Sequence, residues 1–251
     1  CYGPHYLKMS VFERKQSLYE QYRFKCECDA CAGQIESLSG ARPVPAGLRC
    51  LKCKSGQVMC TRIDQIRCEA CAATLNYYHY WKMFNTLNKD IDAVNLSAAT
   101  NADEWRKAIG KLVGIAAEFR EHLLLSEQNR LEKEASVHDN CKIFYLSYSK
   151  VIDMLARLYC NLEEYERAGE LVEGNVQLLE YLYKFDEKKT ATAGGVDGGG
   201  ETTTPESGSE NATVEIAHEL FKLAEIQCNC GRFEQASVNL NRSIKIAECV
   251  Y

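Results

Sequence analysis

The sequence predicts a mostly α protein, with small zinc-stabilised cysteine modules at the front and a domain of helical hairpins behind them. Three observations lead there. Nine of the fourteen cysteines fall within residues 1–71, in groups spaced two or three positions apart. Beyond about residue 76, apolar side chains recur at steps of three and four, the period of an amphipathic helix. Two helix–turn–helix segments, distant in the chain, carry the same residue pattern.

The 251 residues suffice for one large or two small domains. With 46% hydrophobic and 26% charged residues, the balance is that of a soluble globular protein. No stretch approaches 18 consecutive apolar residues, which rules out a transmembrane helix, and no membrane partner is expected. Residues 1–90 hold 13 Lys/Arg against 8 Asp/Glu, and residues 91–251 hold 17 against 27. The front part is therefore mildly basic and the helical part acidic. No Lys/Arg run is dense enough for a nucleic-acid patch, so nucleic acid is not the expected partner. Closely spaced cysteines suit one metal ion better than disulfide bridges, which points to a reducing, cytoplasmic or nuclear compartment. The sequons at Asn95 and Asn211 would then stay unmodified.

Residues 10–22 read as a short helix, opened by the capping pair Ser10 and Glu13, with Phe12, Leu18 and Tyr22 along a rough apolar side. Residues 33–48 contain Gly33, Gly40, Pro43, Pro45 and Gly47 and read as a loop. A segment with Tyr80, Trp81 and Phe84 leads to a connector near 90–101. Asn101, with Glu104 three residues later, marks the next helix start, and its pattern runs to about 134 through Trp105, Leu112, Ala116 and Phe119. Further helices are expected at about 137–160 and 164–185. Residues 190–213 are rich in Gly, Thr, Ser and Glu and lack an apolar set, so they read as a flexible insertion. Helical patterning resumes from about 214 to 249, with a break at Gly231.

The stretch from Arg157 to Ala168 matches that from Glu225 to Ala236. Each reads as a helix end, a tight turn, an aromatic (Tyr165, Phe233) and an alanine three residues later (Ala168, Ala236). A small alanine there lets two helices approach closely, as in a tetratricopeptide (TPR) hairpin.

Cys50-x-x-Cys53 and Cys68-x-x-Cys71 are separated by fourteen residues, enough for a β-hairpin that brings both turns to one tetrahedral ion. Gly56, Val58 and Ile66 suit such a zinc ribbon, placed at residues 45–75. A redox role would need one CxxC beside a βαβ pattern, which this sequence lacks. Cys26-x-Cys28-x-x-Cys31 offers three ligands, and a closed site wants four. From the residues alone, Cys1, His5 or a group upstream could complete it.

The run Cys1-Tyr2-Gly3-Pro4-His5, the helix ending in Tyr22, and Arg23-Phe24-Lys25-Cys26-Glu27-Cys28-Asp29-Ala30-Cys31 together resemble the end of the SET domain and the post-SET segment of SET-and-MYND (SMYD) protein-lysine methyltransferases. The resemblance covers nearly the whole chain, because the helical domain of that family is TPR-like. It implies three parts: the end of SET with the post-SET zinc motif at 1–32, the ribbon at 45–75, and a TPR-like domain at 76–251. Tyr2 would be the SET tyrosine beside the substrate lysine. Phe24 would pack on the adenine of S-adenosylmethionine, and Tyr22 would help to line the lysine channel. Cys26, Cys28 and Cys31 would be three zinc ligands, with the fourth supplied by the SET core upstream. An aromatic channel of this kind desolvates an ammonium and lowers its pKa, readying a neutral lysine for methyl transfer. The protein partner would carry the target lysine, and the TPR-like groove would take a peptide or chaperone partner. Because the MYND finger and most of the SET core do not appear in this chain, the expectation is a C-terminal fragment, inactive alone. The competing expectation is a non-catalytic adaptor whose zinc modules support a peptide-binding groove, and a third is nucleic-acid binding through the ribbon.

Overall fold

The computed structural model describes residues 11–28, 44–60, 65–125, 141–183 and 207–248. Among these residues it forms seven α-helices and one four-stranded sheet, in agreement with a mostly α fold carrying a small cysteine module. In order these are α1 (Val11–Tyr22), β1 (Val44–Arg49), β2 (Gln57–Cys60), β3 (Gln65–Cys68), β4 (Thr74–Asn76), α2 (Tyr77–Asp92), α3 (Ala102–His122), α4 (Lys142–Asn161), α5 (Tyr165–Leu182), α6 (Ser207–Asn229) and α7 (Phe233–Glu248). The chain divides into two compact units. One holds α1, the sheet, α2, α3 from Val113 and α4 as far as Tyr148. The other holds the earlier part of α3, the later part of α4, and α5 to α7.

In the first unit the sheet is an antiparallel meander in the order β1-β2-β3-β4. Val58 pairs with Cys68 and Cys60 with Ile66, so the β2–β3 hairpin carries one cysteine module toward the other. The side chains of Val58 and Ile66 are buried, as a ribbon core requires. Residues 44–48, which composition assigned to a loop, are instead part of β1. Proline and glycine are tolerated there because the register shifts between Pro45 and Arg49, a bulge, and Gly47 takes a φ of 75°. The outer edge of β1 does not stay open. Leu48 bridges Leu123, and Arg49 donates its Nε–H to the Leu123 carbonyl at 3.2 Å. This contact ends α3 at His122, short of the expected 134, because Leu123–Leu125 turn into an extended segment beside the strand.

Helix α2 starts where Asn76 accepts the Tyr78 N–H at 2.8 Å, an N-cap. Its buried residues Tyr77, Tyr80, Phe84, Leu87 and Ile91 follow steps of three and four, as one packed face demands. Phe84 stacks on Phe144 at 4.2 Å between ring centroids and meets Phe119 at 5.4 Å. These rings form the core of the unit. Helix α1 buries Leu18 but leaves Tyr22 exposed, so the predicted apolar side is shorter than its spacing suggested. Ser10 and residues 126–134 lie outside the described residues.

In the second unit, α3 begins with a reciprocal cap. Asn101 Oδ1 accepts the Glu104 N–H at 3.0 Å, and the Glu104 carboxylate accepts the Thr100 N–H at 2.7 Å. Hydrogen bonding to its ionised form, led by the Thr100 N–H, lowers the Glu104 pKa. The helical hairpins follow the sequence pattern: α4 ends and α5 begins around Glu163, and α6 ends and α7 begins around Gly231. Ala168 and Ala236 are both buried where the helices approach. Between α5 and α6, buried Asn175 donates to Glu219 at 3.2 Å, and Lys222 joins Glu219 to Asp153. Burial works against the Lys222 charge, but its hydrogen bonds to the two carboxylates outweigh that and raise its pKa. Residues 207–213, assigned by composition to the insertion, are the first turns of α6. A helix already packed from Val214 onward extends over neighbouring residues without a new nucleation cost. Residues 190–206 lie outside the described residues.

Candidate metal centre

Each CxxC motif sits on a turn. The first follows β1 and leads into β2; the second closes β3 and leads into β4. After each pair the chain turns sharply through the left-handed region, at Lys54 (φ 58°) and Ala72 (φ 55°). The turns are tied down by backbone bonds: Lys54 N–H to Cys50 O at 2.8 Å, Cys50 N–H to Gly56 O at 2.8 Å and Cys68 N–H to Ala73 O at 2.9 Å. The β2–β3 register then sets the two turns face to face.

The result is one cluster. The Sγ atoms of Cys50, Cys53, Cys68 and Cys71 all lie within 4.8 Å of one another. Cys50 and Cys71 are 3.8 Å apart, and Cys53 and Cys68 are 3.7 Å apart. A disulfide would need about 2.05 Å. Four sulfurs each about 2.3 Å from a central zinc stand about 3.8 Å apart along the tetrahedron's edges. The four cysteines therefore have the donor type, number and spacing of a closed zinc site, as the sequence spacing predicted.

The backbone prepares these sulfurs for a cation. The Lys52 N–H points at Cys50 Sγ at 3.3 Å. N–H donors from Ser55, the Ser55 hydroxyl and the Gly56 N–H stabilise the Cys53 thiolate and bring its pKa down to about 6. Cys68 is buried, and that burial pushes its thiol up to about 11 despite N–H donors from Cys71 and Ala70. A bound dication reverses that penalty, because a coordinating thiol is deprotonated outright. Gly56 has a steric role. A Cβ built there would stand 2.5 Å from Cys68 Sγ and 2.7 Å from the Ala70 Cβ, so only glycine lets the strand pass the sulfur.

Two tyrosines, one at the first turn and one on the strand that leads into it, were not visible as site residues in the sequence. Tyr80, fully buried on α2, donates to the Arg49 carbonyl at 2.7 Å and accepts the Leu51 N–H at 3.1 Å, bracketing Cys50. Tyr145 on α4 donates to the Gly47 carbonyl and accepts the Leu124 N–H at 3.1 Å. The available signal was a hydroxyl-bearing ring at a core position of an otherwise apolar helix face, since a buried phenol requires a partner.

The other predicted site residues are not gathered into this centre. Tyr22 and Phe24 form an aromatic pair, with ring centroids 6.5 Å apart, and are 50% and 38% exposed. Arg23 between them takes a φ of 60°, which reverses the chain after α1. Cys26 is buried and Cys28 exposed on the extended segment that follows. Tyr2 and Cys31 lie outside the described residues. Among the described residues, no further group of three or more Cys, His, Asp or Glu has metal-site spacing. No helix among them is long and apolar enough to cross a membrane.

These elements define a mostly α protein with a four-cysteine module of zinc-site geometry followed by paired helical hairpins. Over nearly its whole length the chain is similar to the protein-lysine N-methyltransferase SMYD4. It is 24% identical to the Danio rerio protein over 252 residues, or 96% of this chain and 26% of that one. It is 26% identical to the Mus musculus protein over 231 residues and 24% identical to the Homo sapiens protein over 237, in each case 91% of this chain and 23% of the relative. The similarity to SMYD4 proteins thus extends over nearly all of the chain, in line with the resemblance seen in its N-terminal motifs. It spans about a quarter of the length of the curated relatives it matches. No family model matches it.

Proposed function

We propose that this chain serves as the C-terminal part of a protein-lysine N-methyltransferase that uses S-adenosylmethionine, and that it holds a structural zinc ion. The similarity to SMYD4 proteins across 91–96% of the chain carries the enzymatic part of this reading. S-adenosylmethionine supplies an electrophilic methyl group on a sulfonium. In this reading Phe24 offers a half-exposed aromatic face to the adenine, Tyr22 lines the lysine channel, and Tyr2 orients the amine. Cys26, Cys28 and Cys31 hold a second zinc with a ligand from the SET core. The hairpins of α4 to α7 form a TPR-like wall that takes a peptide or chaperone partner. The isolated chain transfers no methyl group.

The zinc part rests on the Cys50–Cys53–Cys68–Cys71 geometry. Elemental analysis of the purified chain is expected to find at least one zinc, whose removal by a strong chelator unfolds the sheet. Zinc-free protein with an intact sheet would overturn it. The enzymatic part is tested in the full-length parent. Phe24→Ala is expected to weaken S-adenosylmethionine binding by roughly 1–3 kcal/mol, a typical loss for one stacked base. Tyr2→Phe should lower turnover while cofactor affinity stays near wild type. Unchanged cofactor affinity in Phe24→Ala would contradict the assignment. A second reading, a non-catalytic adaptor, is favoured by the repeated hairpins; a parent that binds no S-adenosylmethionine but captures a peptide would support it.

A further inference from the structure

The two helical hairpins can be compared position by position, because the turn at Glu163 and the turn at Gly231 coincide under a shift of 68 residues. On that alignment Ala168 corresponds to Ala236 and Asn175 to Ser243, and all four are buried. Tyr165, Gly169, Val172 and Val176 correspond to Phe233, Ser237, Leu240 and Ile244. These two sets lie along one stripe of α5 and of α7 respectively, at steps of three and four.

On α5 this stripe is covered by α6. A Cβ at Gly169 would meet Ile226 of α6 at 3.5 Å, and Asn175 and Tyr183 bond Glu219 and Glu215 of the same helix. Val172 and Val176 are accordingly only 1% and 3% exposed. On α7 the matching residues are uncovered. Phe233 is 68%, Leu240 37% and Ile244 46% exposed. Three large apolar side chains in one row, on a helix whose opposite side already packs on α6, form an unfilled repeat interface. Scattered exposed apolar residues need no explanation, but a continuous stripe at the position of an established interface does.

We propose that the Phe233–Leu240–Ile244 stripe of α7 is a docking surface for an amphipathic helix of a partner protein, which seats on α7 as α6 seats on α5. The alignment states the partner's chemistry. It should present aliphatic residues at steps of three and four, like Ile216, Leu223 and Ile226 of α6; no counterpart of Glu219 is called for, because Ser243, which stands where Asn175 does, already donates to the Ala217 carbonyl of α6 at 2.7 Å. Solenoid repeats share one nearest-neighbour interface, so the helix that fills it in one hairpin is the best guide to what fills it in the next.

The test uses a labelled synthetic peptide of residues 214–229, the helix that fills the equivalent stripe, titrated into the whole 251-residue chain and followed by fluorescence anisotropy. Saturable binding is expected, and Leu240→Glu with Ile244→Glu should weaken it by about a hundredfold or more, since both side chains leave the interface. Both residues are exposed, so far-UV circular dichroism of the double variant should match wild type. Equal binding by the variant, or no binding up to millimolar peptide, would overturn the proposal. Concentration-dependent dimerisation of the wild-type chain that the double variant abolishes would make a second copy the occupant, and would overturn the partner-helix assignment too.

Discussion

Glu163 and Gly231 hold the same place in two helical turns. Both are left-handed, with φ of 60° and 75°. Around Glu163, the Glu164 N–H reaches Tyr159 O at 2.9 Å and the Glu163 N–H reaches Cys160 O at 3.0 Å. Around Gly231, the Arg232 N–H reaches Gln227 O at 2.8 Å and the Gly231 N–H reaches Cys228 O at 3.0 Å. Each pair is a Schellman motif, so the residue similarity between the segments reflects one backbone solution used twice.

The two turns differ in strain. A left-handed conformation costs a residue with a Cβ roughly 1–2 kcal/mol, and glycine almost nothing. Glu163→Gly is therefore expected to stabilise the chain by about 1 kcal/mol, offset in part by unfolded-state entropy. Gly231→Ala should destabilise it by a similar amount, although a methyl group there meets no atom within 4 Å. Urea unfolding of the two variants should move in opposite directions; a shift of the same sign would refute the shared turn.

At the metal centre, Gly56→Ala forces a methyl group into the space of Cys68 Sγ. Zinc affinity, measured by competition with a chromophoric chelator, should fall by about tenfold or more, as for other residues that support ligands. Gly114→Ala, which meets nothing within 4 Å, serves as the control and should leave zinc binding unchanged.

Tyr80→Phe removes the hydroxyl that donates to the Arg49 carbonyl and accepts the Leu51 N–H. Leaving buried polar groups unsatisfied costs about 1–3 kcal/mol. Equilibrium denaturation at saturating zinc should show that loss. A variant as stable as wild type would mean that water or a shifted backbone replaces the phenol.

His122 sits edge-on to Phe84, with centroids 6.4 Å apart, and burial lowers its pKa; nearby Lys54 lowers it further, while Glu121 and Glu118 raise it. The unfolded imidazole titrates near 6.5. Below that pH the unfolded chain binds a proton that the folded chain resists, so stability falls as pH drops through about 6.5. His122→Gln should flatten this dependence relative to wild type between about pH 5 and 7.5. Parallel stability curves for the two proteins would show that His122 does not contribute.

The four clustered cysteines and the two hairpin turns were legible because each depends on local spacing. A CxxC turn presents two sulfurs whatever surrounds it, and an aromatic followed by alanine after a tight turn marks a helix pair within a dozen residues. The helix starts at Asn101 and after Asn76 are local in the same sense, since a cap acts within one turn. What the tertiary structure decided is long-range. Strand β1 is a strand, despite Pro45 and Gly47, because Leu123 covers its outer edge from 75 residues away. Helix α3 stops at His122 for the same contact, and α6 reaches back to Ser207. Tyr80 and Tyr145 look like core aromatics in the sequence; only when α2 and α4 bring their hydroxyls to β1 does Tyr80 bracket the first cysteine turn and Tyr145 tie the strand before it to Leu124. Local patterns report which conformation a segment prefers; which edge is paired and which hydroxyl is satisfied depend on partners distant in the chain, and packing alone supplies them.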